Sequence, residues 1–331
     1  MGVSSLGKDH VWEQNLAARA AWMSYIGEMT RAEIASRLGV SAARVHRLIE
    51  LAREKGMVRI SIEGRPSECL EMEDQITRAF GLQSCTISPY LRQESMSEDI
   101  AIASVGQLAG QLLGQHFMNL DVKSVCVGSG RTLLSAMNAL PLVPRPDLEI
   151  YPAAGSLVDG LAMDPYDAIG LLVERSGGRG YQLPIPRYAR NQAEAEVFTK
   201  QPAIAQALTA ARSADVFVCG ITSGAQLVGV SDHHSVANGL VAPVWAEEPA
   251  CLFMGCALAA DGRTIRFQEG AAFLGVHYGE TRLGERKGAR IFCLAAGTAK
   301  SGAVLAALHA RAMSDLVIDE GLAAELVTKV G

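Results

Sequence analysis

Four short stretches combine glycine with small hydroxyl or basic residues: Gly128-Ser129-Gly130-Arg131-Thr132, Ala154-Gly155-Ser156, Gly220-Ile221-Thr222-Ser223-Gly224 and Ala296-Gly297-Thr298-Ala299-Lys300. Glycine lets backbone amides approach an anion, and a helix starting behind such a loop adds its positive N-terminal end. Arg131 and Lys300 bring the guanidinium and ammonium that phosphate needs, and Thr132 brings a hydroxyl for a sugar oxygen. These residues suit recognition of a small anionic or polyhydroxy compound, with no cofactor. Catalysis is the competing reading. General acid–base chemistry needs a carboxylate or histidine beside a reacting carbon. Asp159, Asp164, Asp167 and Asp232 are available by type, yet no spacing marks them out and each reads as a solvated loop carboxylate. Lys300 as a Schiff-base nucleophile would have to be buried and deprotonated, so simple contact with phosphate or hydroxyl is the better reading. Neither Asp232-His233-His234 nor the Cys251/Cys256 pair has further ligands in register, so no metal site is expected.

A second set of residues carries different chemistry. Ser41, Ala42, Arg44, His46, Arg47, Arg53, Lys55 and Arg59 fall within the stretch from Thr30 to Ile62, small side chains followed by basic ones. That sequence suits a helix end pushed into the major groove of double-stranded DNA, with Arg44 and Arg47 at base edges, His46 near a base or phosphate, and Arg53, Lys55 and Arg59 on the backbone. Residues 1–65 hold ten Lys and Arg against seven Asp and Glu, a net of +3 that leaves −8 for the rest of a −5 chain. An acidic body repels DNA and leaves one basic face to dock.

The elements that must position these residues follow from periodicity. Thr30 and Glu33 form a capping box, and Ile34, Ala35 and Leu38 recur at helical spacing. Gly39 supplies the left-handed turn, and Ser41 caps a second helix whose Val45, Leu48, Ile49 and Ala52 point inward. Val58 to Ile62 alternates at strand period and is expected to form a wing. Residues 11–26 are expected to make a first helix with Trp12, Leu16, Ala20 and Met23 on one face. Gly64-Arg65-Pro66 breaks the pattern and sets a boundary between domains 1–64 and 65–331. Beyond it, helices are expected at 68–80 and 97–118, the latter with Ile100, Val105, Leu108, Leu112 and Leu113 on its apolar side, and a short strand at 86–89. Apolar runs at 122–127, 148–151, 215–219 and 289–295 each end in one of the four loops, and helices alternate with them. This is the pattern of an α/β fold with a mainly parallel sheet covered on both faces, whose ligands bind beyond the strand C-termini.

Composition fits this picture: 331 residues are ample for two domains, 49% are hydrophobic and 20% charged, as in ordinary soluble proteins. The seven cysteines are odd in number and sit mostly in apolar runs, which reads as reduced core thiols and a cytoplasmic location. No stretch approaches the roughly 20 apolar residues of a membrane span.

Taken together, the head segment TRAEIASRLGVSAARVHRLIELAREKGMVRISI, the loop GSGRT, the segment ADVFVCGITS, and AAGTAK followed by VIDE resemble the SorC family of bacterial sugar-responsive transcriptional regulators. The likeness covers nearly the whole chain. It implies a winged helix-turn-helix DNA-binding domain followed by an effector domain with the fold of sugar-phosphate isomerases that has lost catalysis. It also implies an effector site: Gly128, Ser129, Gly130, Arg131 and Thr132 would line its anion or hydroxyl end, Gly155 and Ser156 the second loop, Gly220, Thr222 and Ser223 the third, with Lys300 and Asp319 closing it. The chain departs from the family pattern at Ser129, where an aromatic residue is common, at Thr222, where glycine is common, and at Cys251-Leu252, where a Gly-acid pair is usual. A free polyol fits these changes. The expected protein is a regulator, read as a repressor, of a carbohydrate or polyol catabolic operon. It would work as a homodimer or homotetramer, because one head buries too little DNA for strong specificity. An isomerase-like enzyme with an accessory N-terminal domain is the alternative.

Overall fold

The computed structural model describes residues 5–58, 64–89, 97–158, 162–226, 245–267, 271–281 and 289–330. The chain divides into two units, Met1–Glu63 and Gly64–Gly331.

The first unit is helical. Helix α1 spans Ser5–Ala21 and runs into a π-helical turn over Trp22–Ile26. Its buried face is made of Ala17, Ala20 and Ala21, small enough to let the next helices approach closely. Trp12, expected on that face, is instead 56% exposed. Helix α2, Arg31–Leu38, starts at a complete capping box: Glu33 donates its amide to the Thr30 hydroxyl and its carboxylate accepts the Thr30 amide at 2.8 Å. Gly39 ends it with φ 63°, a value that costs other residues strain. Ser41 then caps α3, Ala42–Glu54, accepting the Arg44 amide at 3.2 Å. Ile34, Val45, Leu48 and Ala52 close the core between the helices, with Ile49 only half-buried. The expected wing at 58–62, Arg59 included, falls outside the described residues apart from Val58.

The second unit opens with α4, Ser67–Phe80, stopped by Gly81 in the left-handed region, and strand β1, Ser84–Ser88. Helix α5, Glu98–Met118, follows. Val105 and Leu113 are buried as its periodicity predicts, but Ile100 is 53% exposed, and the tightest contact comes from glycines. A Cβ built on Gly106, Gly110 or Gly114 would lie 2.1 Å from the Ser135 hydroxyl, 2.7 Å from the Ala136 carbonyl and 2.6 Å from Pro141. Strand β2, Ser124–Val127, leads into α6, Arg131–Ala139, which is the helix packed on that glycine stripe. Strand β3, Glu149–Pro152, is followed by a hairpin of β4 (Leu157–Val158) and β5 (Ala162–Met163) rather than directly by a helix. Next come α7 (Ile169–Ser176), β6 (Arg179–Gly180), β7 (Tyr188–Ala189), α8 (Gln192–Thr199) and α9 (Pro202–Arg212).

Strand β8, Val216–Gly220, passes into β9, Thr222–Ser223, so the third loop forms part of a second sheet before the chain turns helical at 224–226. That antiparallel sheet is completed by β10 (Cys251–Phe253), β11 (Cys256–Leu258) and β12 (Thr264–Ile265). Strand β13, Ala272–Phe273, pairs with β7. Strand β14 (Arg290–Leu294), helix α10 (Ser301–His309), strand β15 (Asp315–Asp319) and helix α11 (Glu320–Val330) complete the unit.

The main sheet has the order β1-β15-β14-β8-β2-β3-β6, and all its pairings are parallel. Both faces are covered, as such sheets require. Phe217, Cys219, Ile291 and Cys293 face α4, α10 and α11, while Val216, Val218, Phe292 and Leu294 face α5 and α6. All seven cysteines are free, and six are buried. Burial pushes the Cys219 and Cys251 thiols up to about 12, so these behave as inert core residues. Among the described residues no helix is long and apolar enough to cross a membrane.

Candidate functional site

In a parallel sheet every strand C-terminus lies on one edge, so the order β15-β14-β8-β2-β3 brings four loops and the end of β15 side by side. The loops after β2 and β8 touch: the Gly128 amide donates to the Val218 carbonyl at 2.9 Å, and a Cβ on Gly220 would lie 3.2 Å from the Ser129 carbonyl. The Gly130 backbone has φ 130°, which turns the chain sharply into α6 and sets Arg131 and Thr132 in that helix's first turn. Thr132 is 3% exposed and its hydroxyl has no hydrogen-bond partner among the described residues. A buried unpaired hydroxyl is costly and marks a place where something is to be bound. Arg131 is exposed and paired, at 3.4 Å with Glu98 and more closely with Asp99 from the first turn of α5.

The other expected contacts divide between rim and scaffold. Lys300 is half-buried with no ion pair to its amine among the described residues, and burial, offset in part by Cys293 and Glu98, holds that amine below the ordinary lysine range. Asp319 is 3% exposed; its carboxylate accepts the Gly297 amide at 2.6 Å and the Leu322 amide at 3.0 Å. It therefore holds the fourth loop and caps α11. Gly155 lies against the wall of residues 183–186, where a Cβ would meet the Pro186 carbonyl at 2.2 Å, and the Ser156 hydroxyl donates to the Leu183 carbonyl at 2.8 Å. Thr222 is half-buried and Ser223 buried, both in β9.

The structure adds a pair that periodicity had not marked. Arg187 forms a close ion pair with Asp164, and its Nη2 also donates to the Ser129 hydroxyl at 3.4 Å. The Asp164 side chain is only 8% exposed, so the reading of this residue as a solvated loop carboxylate is corrected. Burial works against its charge, but the Tyr166 amide and the Arg187 guanidinium outweigh that and leave the carboxyl below its usual range. Arg187 Nε is buried without a partner among the described residues. The arginine is held rigidly: Ile185 and Ala189 on either side lie in a satellite core with Leu183, Leu208 and Leu274, and its carbonyl accepts the Leu274 amide at 2.9 Å. Asp167, opposite Ser129, spends its carboxylate on the Ile169 amide at 3.0 Å. Asp159, Asp232, His233 and His234 lie outside the described residues. A pair 23 residues apart in sequence leaves no periodic trace; only the apolar residues flanking Arg187 hint that its backbone is anchored.

On the first unit, His46, Arg47, Arg53 and Lys55 are exposed along α3 and its end, and Ser41 and Ala42 at its start. Arg44 is half-buried, its guanidinium 5.6 Å from the centre of the Trp12 ring, beside a shallow groove lined by Glu13, Arg44, Arg47, Leu48 and Leu51. His46 approaches Glu50 at 3.4 Å, one turn along.

Residues 64–328 match the protein family described as "Putative sugar-binding domain". The chain is 26% identical over 324 residues to the erythritol catabolism regulatory protein EryD of Brucella abortus, covering 95% of this chain and 97% of that protein. It is 26% identical over 320 residues to the transcriptional regulator LsrR of Klebsiella pneumoniae, covering 93% and 91%. Its fold is similar to the crystal structure of the full-length sorbitol operon regulator SorC from Klebsiella pneumoniae, with a TM-score of 0.63 and 21% identity over 95% of this chain and 99% of that one.

Proposed function

The chain belongs to the sugar-binding domain family of SorC-type regulators and is a ligand-responsive transcriptional regulator of sugar catabolism rather than an enzyme; from that premise we propose how its two units divide the work. Residues 1–64 are the DNA-binding domain, with Arg47, His46, Arg53 and Lys55 on the duplex and Ser41 and Ala42 at the entering helix end. Arg44 steadies that end through Trp12 and reaches the groove edge from there. Residues 65–331 bind the effector, a small polyhydroxy compound, free or phosphorylated, at the strand-end rim. The relatives' names, one referring to erythritol catabolism and one to a sorbitol operon, support that class. The observation that carries the reading is the buried Thr132 hydroxyl, unpaired among the described residues, in the first turn of the helix behind the β2 loop, at the edge where such sheets bind ligands.

The protein works in the cytoplasm as a homodimer or homotetramer on operator DNA, as a repressor released by its effector. An effector alters operator affinity only by the difference in its own affinity for the two states, so coupling requires that the rim differ between them. Fluorescence anisotropy of a labelled operator fragment, taken from the DNA upstream of the adjacent catabolic genes, tests this across a panel of sugars, polyols and their phosphates. Release of the fragment by one compound is expected; binding that no compound changes would refute the effector reading, and no binding at all would refute the regulator.

A further inference from the structure

The rim's charges do not favour a phosphate. Among the described residues it holds Arg131, Arg187 and Lys300 against Glu98, Asp99, Asp164, Asp167 and Asp319, so carboxylates outnumber cations by two. Arg131 is already neutralised by the two acidic residues opening α5, and Arg187 by Asp164. The amide of Gly297, which in a glycine loop would be offered to an anion, is already donated to the carboxylate of Asp319. The first-turn amides of α6 remain, but the arginine at that helix start carries its own two counter-charges.

What remains uncommitted is a mixture. Thr132 offers a buried hydroxyl that either donates or accepts, Arg187 a buried Nε–H, and Lys300 an ammonium, while Asp164 and the Ser129 hydroxyl add acceptors. A phosphate dianion only accepts, and it would sit against Asp164 with like charge. Each hydroxyl of a polyol donates once and accepts twice, which matches the mixed set. The Arg187–Asp164 pair then works as a bidentate donor–acceptor edge for neighbouring hydroxyls, and its carboxylate excludes the ester.

We infer that this rim takes an uncharged polyhydroxy compound rather than its phosphate ester, and that the half-buried Arg187–Asp164 pair makes the choice. The inference rests on the effector reading above. Its test is titration calorimetry of the full chain with four- to six-carbon alditols, the same alditols as monophosphates, and inorganic phosphate. At least one alditol should bind ten times more tightly than its monophosphate, and inorganic phosphate should be silent. Asp164→Asn removes the excluding charge and should narrow the alditol-to-phosphate ratio at least tenfold. Should that variant not fold by circular dichroism, Arg187→Lys, which keeps the charge and loses Nε–H, should weaken the alditol at least tenfold. A monophosphate that binds more tightly than its alditol overturns the inference and leaves the effector reading standing. An unchanged ratio or affinity in the folded variant overturns the role of the pair. Silence from every compound overturns both readings.

Discussion

Asp319→Asn separates two roles for the same residue. Sequence likeness places Asp319 among the ligand contacts, whereas its carboxylate is buried and already takes the amides of Gly297 and Leu322, one on each oxygen. In asparagine one of those oxygens becomes an NH₂ group, and either rotamer points a donor at a donor. One charge-assisted bond is lost, about 1.5–3 kcal/mol, and a buried amide is left unpaired at a further cost of about 1 kcal/mol or more. A loss of roughly 2.5–4 kcal/mol follows, equivalent at about 2 °C per kcal/mol to a drop of about 5–8 °C in the melting temperature of a domain this size. Thermal unfolding of the full chain without effector, followed by far-ultraviolet circular dichroism, reads it directly. The fourth loop would loosen as well, so effector affinity should fall together with stability. If the variant melts within about 1 °C of the parent and loses only effector affinity, Asp319 is a ligand contact and the scaffold role assigned to it is wrong.

Three further outcomes are expected. Arg47→Ala should weaken operator binding by about 1–3 kcal/mol with effector affinity unchanged; an unaltered anisotropy titration would count against Arg47. Burial depresses the Lys300 amine below the ordinary 10.5, so the folded chain gives up this proton before the unfolded chain does. Its charge therefore costs stability below the lowered value, and that cost disappears as pH rises through it towards 10.5. Effector affinity should run the opposite way, falling over the same window as the ammonium donor is lost, and Lys300→Met should abolish that pH dependence in calorimetry. Arg145, 2% exposed, donates to the Phe117, Asn119 and Val122 carbonyls at 2.7 Å each and pairs with Asp147 at 2.8 Å. Arg145→Leu strands all three acceptors and should lower stability by roughly 3–5 kcal/mol, measured by urea unfolding; a shift below about 1 kcal/mol would show that water replaces the guanidinium.

What the sequence made legible was local. The capping box at Thr30, the left-handed Gly39 and the Ser41 cap involve residues within four of one another, so the α2–α3 turn could be read directly. The parallel strands were equally readable, because runs buried on both faces carry no polar alternation. Misreadings came where tertiary covering decides exposure: Trp12 and Ile100 obey helical spacing yet stay largely exposed, Trp12 touched only by the edge of α3 through Arg44. Strands of two or three residues, such as β4, β7, β9 and β13, are too short to show a period, so two of the four loops were expected to lead straight into helices and instead enter small antiparallel pairings. The Arg187–Asp164 pair belongs to the same class: its partners meet only because the satellite core fixes the segment between them.

The bare stripe of Gly106, Gly110 and Gly114 reaches further than its own packing. The Ser135 and Pro141 side chains and the Ala136 carbonyl lie directly against the bare backbone of α5, so α5 and α6 approach with no room to spare along that line. The leading turns of those helices carry Arg131 and its partners Glu98 and Asp99. A methyl group added at Gly106, about a dozen ångströms behind those turns at the 1.5 Å rise per helical residue, would push the two helix starts apart and carry Arg131 away from its partners.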